Sequence, residues 1–242
     1  MDPQSRLIFP LDVPDKTAAQ KLLEALRDEV GLFKVGLELF MAEGPEFLQV
    51  VSAASPSGFF LDLKFHDIPA TMGGAHSKVF KGVRFTTIHV DQGRKLLSAM
   101  VRGLSDDVKI LGVTVLTSLD KDDLLSVGID PRYADNPGKL VLLRAELAKD
   151  AGCSGVVCAG PEARAVKERF GQDFLVVCPG IRPDWGQVPS DDQRRTMTPY
   201  EAIKAGADYI VVGRPIRLAA DPVAAARRVV EEIARGLRDR ER

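Results

Sequence analysis

The stretch FFLDLKFHDIPAT, residues 59–71, begins as an apolar strand and ends in charges. Short runs rich in Phe, Val and Ile are typical of strands that are buried on both faces. Asp62, Lys64 and Asp67 interrupt this run at its carboxyl end. Because the burial of an unpaired charge is costly, these side chains either pair with one another or take part in a reaction.

Seven other apolar runs of the same kind are spaced almost evenly along the chain, at residues 7–13, 32–37, 85–90, 109–116, 155–159, 174–180 and 209–213. Segments with helical periodicity lie between them, most clearly at 15–30, 161–170 and 221–240. This alternation predicts an α/β fold, a (β/α)8 TIM barrel in which residues 1–242 form a single domain. A doubly wound open sheet is the alternative, although its usual Gly-rich turn is missing after the first strand.

The composition is that of an ordinary globular protein, with 45% hydrophobic and 28% charged residues and a net charge of -1. It therefore gives no sign of a nucleic-acid surface or of a membrane-binding patch. No apolar run reaches the ~20 residues of a membrane helix, and the first residues lack the pattern of a signal peptide. We expect a cytoplasmic protein, with Cys153, Cys158 and Cys178 as buried, reduced thiols.

Charged residues gather at the predicted carboxyl ends of the first three strands, which is where barrels of this type hold their active sites. Asp12 follows the first run and Lys34 lies on the second. Asp62 and Lys64 are two apart on the third strand and so share a face. These residues predict an alternating cluster of carboxylates and ammonium groups at the barrel mouth. A structural ion network that caps the barrel is the alternative interpretation.

The last two strands end in residues suited to a phosphate group. Gly213 and Arg214 follow the eighth run, and Arg182 follows the seventh. Loops at these places form the usual phosphate site of such barrels, which favours that role over the alternative of a surface arginine. The long polar segment 182–199 is expected on the same face, as a lid. The histidines lack metal-ligand spacing, so we predict no metal site, and His89 is expected to be a structural residue.

The sequence as a whole resembles the bacterial branch of the orotidine 5′-phosphate decarboxylase family. The resemblance rests on DLKFHDIPAT together with LDV, FKVGLELF, VTVLTSL, CPGIRP, DDQRR and VGRPI, which follow in the family's order along the whole chain. Two positions depart from the family pattern. Ala70 stands where Asn is common, and Val90 follows His89 where a smaller residue is usual.

The resemblance implies a lyase that converts orotidine 5′-monophosphate to UMP and carbon dioxide, the last step of pyrimidine nucleotide synthesis, without a metal or an organic cofactor. It implies that Asp62, Lys64 and Asp67 are catalytic, with Lys64 as the proton donor. It also implies a homodimer in which Asp67 and Thr71 reach the partner's site. The substrate-binding residues that it implies are Asp12 and Lys34 at the ribose, Thr117 beside the pyrimidine, the lid residue Gln193, Arg182, and Gly213 with Arg214 at the phosphate.

Two other functions stay open from the sequence. Metal-dependent barrels that act on 3-keto-sugar or hexulose phosphates share the D-x-K-x-x-D pattern of Asp62, Lys64 and Asp67. A silent nucleotide-binding barrel would retain the lid and Arg214 without needing the catalytic charges. The segment 182–199 and the LTSL run at residues 116–119 favour the decarboxylase.

Overall fold

The computed structural model describes residues 2–76, 81–103, 107–186 and 194–240. Eight parallel strands close into a barrel in chain order, and β1 pairs with β8 through Ile8 and Val211. This closure confirms the predicted TIM barrel and excludes the open sheet. The strands are β1 Leu7–Pro10, β2 Leu32–Val35, β3 Phe59–Phe65, β4 Val83–His89, β5 Lys109–Val113, β6 Gly155–Val157, β7 Leu175–Cys178 and β8 Tyr209–Val211.

Helices follow the strands and form the outer layer of the barrel. Several begin at a capping side chain, as at Asp15, whose carboxylate accepts a hydrogen bond from the Ala18 amide. In the described ranges they are α1 Lys16–Leu26, α2 Leu37–Glu43, α3 Phe47–Ala54, α4 Pro69–His76, α5 Arg94–Gly103, α6 Lys121–Ser126, α7 Pro131–Ala134, α8 Pro137–Ala151, α9 Ala163–Phe170, α10 Pro199–Lys204, α11 Arg214–Arg217 and α12 Pro222–Arg240.

Side chains alternate along the strands between two hydrophobic clusters. The barrel interior holds Ile8, Leu32, Phe60, Phe85, Leu111, Val177, Tyr209 and Val211. A larger cluster fills the space around Leu61 and the helices. Because Phe60 faces the interior and Leu61 faces the helices, Asp62 faces the interior again. The fold thus delivers Asp62 to the barrel mouth, one layer above the Phe60 ring.

Cys153, Cys158 and Cys178 are buried free thiols, as expected. Burial raises the pKa of Cys153 to about 12, so this thiol stays protonated at neutral pH. Across the described ranges, the helices are all too short or too polar to cross a bilayer.

Candidate active site

A cavity of about 290 Å³ opens at the carboxyl ends of the strands. Its apolar floor includes Phe60, Val157 and Val177, and charged groups surround its mouth. The residues singled out from the sequence that line this cavity are Asp12, Lys34, Asp62, Lys64, Thr117, Arg182, Gly213 and Arg214. The structure therefore brings together predicted residues from six of the eight strand ends.

The charged residues on β1, β2 and β3 form one connected array. Lys64 Nζ lies 2.8 Å from Asp62 Oδ2, and Lys34 Nζ lies 3.5 Å from the same oxygen. Lys34 Nζ also lies 3.1 Å from Asp12 Oδ1. Each carboxylate is thus held beside an ammonium group, in the alternating order that the sequence predicted.

Burial and charge oppose each other in this array. Burial alone would raise the pKa of Asp62, but Lys34 and Lys64, with hydrogen bonds from Lys64 and Thr87, lower it below its ordinary value of 3.8. Burial alone would lower the pKa of Lys34, but Asp62 and Asp12 raise it above 10.5. Both groups therefore stay charged at neutral pH despite being buried.

The backbone at Lys64 departs from regular strand geometry. Lys64 has a φ of 49°, and it is the one non-glycine residue of the described chain with a positive φ. The pairing of β3 with β4 is also irregular between Leu61 and Phe65. Strained backbone of this kind is concentrated at functional sites, where the surrounding structure holds it in place.

Thr87 of β4 is a polar residue of this site that the sequence analysis did not identify. Its hydroxyl donates a hydrogen bond of 2.9 Å to Asp62 Oδ1 and accepts one of 2.9 Å from the Lys64 amide. The side chain is fully buried. A threonine in an apolar strand gives no sequence signal, because its role depends on the irregular pairing across from it.

Gly36, which follows β2, leaves the space that the Asp12–Lys34 pair occupies. A Cβ atom at Gly36 would lie 3.0 Å from Lys34 Nζ and 3.1 Å from Asp12 Oδ1. These separations are tighter than ordinary contacts, so a side chain here would displace one partner of the pair.

The cavity lining that follows β7 and β8 carries the predicted phosphate residues. Gly213 precedes α11, whose first residue is Arg214. A Cβ atom at Gly213 would lie 2.8 Å from Pro10 Cγ, so close packing of β8 against β1 requires glycine here. Arg182 follows β7, and its backbone amide donates a 2.9 Å hydrogen bond to the Met197 carbonyl. That bond joins the two ends of the predicted lid segment.

Arg195 fastens the end of this segment to the barrel. Its guanidinium donates to the carbonyls of Val115 and Leu116, each at 3.1 Å, and to Glu162 Oε1 at 2.6 Å. Burial raises the pKa of Glu162, and Arg195 opposes that shift. This pair was not predictable from the sequence, because its members are far apart in the chain and meet only through the fold.

Asp67 and Thr71 lie outside the cavity lining. The Asp67 amide donates to Gln92 Oε1 at 3.1 Å, and its carboxylate accepts a 2.6 Å hydrogen bond from the Ile68 amide. Thr71 is exposed on α4. Neither side chain joins the array of its own chain in the described structure. The lid residue Gln193 lies outside the described residues.

His66, His89 and Asp91 form a cluster near Lys64. Their spacing in the sequence did not predict this cluster. Their possible ligand atoms all lie within 4.8 Å of one another. Arg144 Nη2 lies 3.5 Å from Asp91 Oδ2, so a guanidinium already balances this carboxylate. Burial lowers the pKa of His89, an effect that Asp91 opposes. We assign no metal to this group, because Arg144 competes for the carboxylate that a cation would need.

Known proteins are similar to this chain over nearly its whole length. The profile described as "Orotidine 5'-phosphate decarboxylase / HUMPS family" matches residues 5–229. The chain is 44% identical to the orotidine 5'-phosphate decarboxylase of Desulfosudis oleivorans, covering 98% of this chain and 96% of the relative. It is 47% identical to the protein of that name from Anaeromyxobacter sp., covering 95% and 98%.

Solved structures give the same result. The crystal structure of orotidine 5'-phosphate decarboxylase from Lactobacillus acidophilus superposes with a TM-score of 0.76 at 34% identity, covering 94% of this chain and 98% of that one. An uncharacterized conserved protein from Geobacillus kaustophilus gives a TM-score of 0.75 at 32% identity, covering 94% and 99%. Since these matches span nearly the whole chain, the protein is an enzyme, a carboxy-lyase, and it belongs to the orotidine 5'-phosphate decarboxylase / HUMPS family.

Proposed function

We propose that the protein decarboxylates orotidine 5′-monophosphate to UMP and carbon dioxide, the last step of pyrimidine nucleotide synthesis, in the cytoplasm. The names of its relatives support this reaction. The observation that carries the proposal is the array of Lys34, Asp62 and Lys64 in a cavity that Arg182 and Arg214 also line. A nucleotide with a reacting base and a phosphate needs these two kinds of surface, some distance apart.

Loss of the carboxyl group at C6 leaves an electron pair on that carbon, with no adjacent π system to receive it. In this proposal no metal or organic cofactor takes part, so fixed protein charges stabilise the pair. The Lys64 ammonium faces C6, and its position beside Asp62 is set before the substrate arrives. As the bond to carbon dioxide breaks, Lys64 gives a proton to C6 and is reprotonated from solvent.

Substrate binding would use the cavity residues that take no part in the proton transfer. Arg214, with the Gly213 backbone, binds the phosphate, and Arg182 adds a second guanidinium on the same wall. Asp12 and Lys34 contact the ribose hydroxyls.

Two further contacts complete the substrate site. Thr117, in the cavity lining, lies beside the pyrimidine. Gln193 closes over the phosphate, a role that rests on the resemblance of the sequence to the family. Contacts to these non-reacting groups contribute to catalysis when they strengthen in the transition state.

The active protein is proposed to be a homodimer in which Asp67 and Thr71 complete the partner's site. Both residues lie on the segment that leaves β3, outside the cavity of their own chain. Leu37 and Met41 on α2, and Ile68 beside Asp67, are large apolar side chains exposed on the protomer. Exposed apolar surface, which at Ile68 directly follows Asp67, is what a second copy of the chain would cover.

A spectrophotometric assay with orotidylate, run with and without excess EDTA, tests this function. We expect turnover, seen as a change in ultraviolet absorbance, at the same rate in both conditions. A metal-dependent barrel would need free carboxylates, whereas Asp12 and Asp62 already pair with lysines. Activity on hexulose phosphates that EDTA abolishes, with no turnover of orotidylate, would contradict the proposal. Binding of orotidylate without turnover would point to a silent nucleotide-binding barrel.

A further inference from the structure

Strand β3 leaves the regular sheet where it carries the charged residues. It advances from Leu61 to Phe65 while its partner β4 advances only from Thr86 to Ile88. Extra residues on one strand disrupt the ladder and re-aim the side chains there, as in a β-bulge. Asp62 and Lys64 are therefore held by contacts other than the standard backbone ladder.

The Thr87 hydroxyl supplies two of these contacts. It accepts a hydrogen bond from the Lys64 amide and donates one to Asp62 Oδ1, each at 2.9 Å. A hydroxyl has a single hydrogen to donate, and here it is directed at the carboxylate. One buried oxygen atom thus fixes both the backbone of Lys64 and the carboxylate beside the Lys64 ammonium.

We propose that Thr87 is a positioning residue for the reaction, which aims the Lys64 ammonium by holding the Lys64 backbone in its left-handed conformation and the Asp62 carboxylate in its rotamer. The inference rests on the proposed function. Left-handed backbone is unfavourable for residues that carry a Cβ atom, so Lys64 needs such a partner to keep its φ of 49°. Without the hydroxyl, the Lys64 amide loses its bond and the strand relaxes.

The adjacent Thr86 provides a matched control. It is also buried, at 1% exposure, and it lies on the same strand. It is the cross-strand partner of Leu61, on the side of the sheet that faces the helices. Within the described residues, its hydroxyl oxygen has no hydrogen-bond partner. Thr86→Val and Thr87→Val therefore make the same chemical change at the same depth, and only the second removes contacts to the array.

Steady-state assays with orotidylate on Thr87→Val, Thr87→Ser and Thr86→Val test the proposal. We expect Thr87→Val to lower kcat by about 10- to 100-fold with little change in KM, because the proton donor is displaced while the phosphate and ribose contacts remain. Thr87→Ser restores the hydroxyl and should stay within about threefold of the parent. Thr86→Val should match the parent. If Thr87→Val does not fold, Thr87→Ala takes its place against Thr87→Ser.

A crystal structure of Thr87→Val gives a readout that does not depend on the reaction. We expect the φ of Lys64 to become negative and the 2.8 Å contact with Asp62 to be lost. Unchanged kcat in Thr87→Val, or an unchanged Lys64 backbone in its structure, would overturn the inference. Absence of turnover by the parent would instead overturn the proposed function, and the structural readout would still decide the role of Thr87.

Discussion

Lys64 Nζ lies 2.8 Å from Asp62 Oδ2 in the cavity. The same carboxylate oxygen lies 3.5 Å from Lys34 Nζ, so one buried carboxylate holds two ammonium groups on the same side of the barrel mouth. Because Asp62 is flanked in this way, it stays ionised, and it fixes Lys64 before any substrate binds.

Asp62 and Lys34 should both keep their charges through the neutral pH range. The pKa of Asp62 is lowered below 3.8 and that of Lys34 is raised above 10.5, so both stay ionised between about pH 5 and 9. In Lys34→Met, Asp62 loses one of its two cations and its pKa rises. We therefore expect kcat/KM of this variant to fall on the acid side at a higher pH than in the parent. Identical acid limbs in the two pH profiles would contradict the coupling of Lys34 to Asp62.

Arg214 should contribute to catalysis through the phosphate. Arg214→Ala should lower kcat/KM for orotidylate on the order of 10²-fold or more, because a charge-assisted contact to the phosphate is lost. It should change turnover of orotidine, which lacks the phosphate, very little. Arg132→Ala is the control, since Arg132 lies on the surface and pairs with Asp130. Equal losses on both substrates would show that Arg214 does not act through the phosphate.

Lys64 and Asp67 should act in the same site from different chains. Lys64→Ala and Asp67→Ala are each expected to be inactive, and co-expression at equal amounts gives about half mixed dimers. Each mixed dimer has one site with both residues and one with neither. Roughly one quarter of parental activity should then return. If samples shown to contain mixed dimers stay as inactive as the separate variants, both residues belong to one chain's site.

The Arg195–Glu162 pair should stabilise the fold in a pH-dependent way. Arg195→Met leaves Glu162 buried without its cation and should cost about 3 kcal/mol of unfolding free energy at neutral pH. Since the folded-state pKa of Glu162 is raised above 4.5, folding favours its protonated form. The contribution of Glu162 to the free energy of unfolding therefore decreases as pH rises through that pKa. The free energy of unfolding that Arg195→Met loses should accordingly be smaller near pH 5 than at pH 7.

The double variant Arg195→Met with Glu162→Gln is the control for this pair. It removes the buried charge as well as its partner, so we expect it to recover part of the lost stability. Urea unfolding at pH 5 and pH 7 gives the comparison. A loss that is the same at both values, and that Glu162→Gln does not reduce, would mean that Arg195 acts through packing or its carbonyl contacts alone.

Much of the fold was predictable because parallel strands buried on both faces carry continuous apolar runs. Each of the eight runs became a strand, and the spacing of Asp62 and Lys64 placed both at the barrel mouth. Thr87 was not predictable, because its two hydrogen bonds depend on an irregular pairing with β3. Arg195 and Glu162 meet only after the barrel has closed, since β6 and the segment before α10 must first come together.

The position of Asp67 relative to the cavity was not predictable from its spacing in the sequence. Its place after the strand suggested the charge network, but its side chain accepts a hydrogen bond from Ile68 outside the cavity of its own chain. Sequence spacing does not say which of two chains a loop residue serves. The roles of Asp67, Thr71 and Gln193 therefore stay predictions.

Proton donation by Lys64 is tested most directly with Lys64→Ala in the orotidylate assay, paired with calorimetric titration of UMP into the same preparation. We predict a folded protein that binds UMP while its turnover is almost undetectable, because the phosphate contacts remain and the donor to C6 is gone. Turnover that stays within about tenfold of the parent would contradict the role assigned to Lys64.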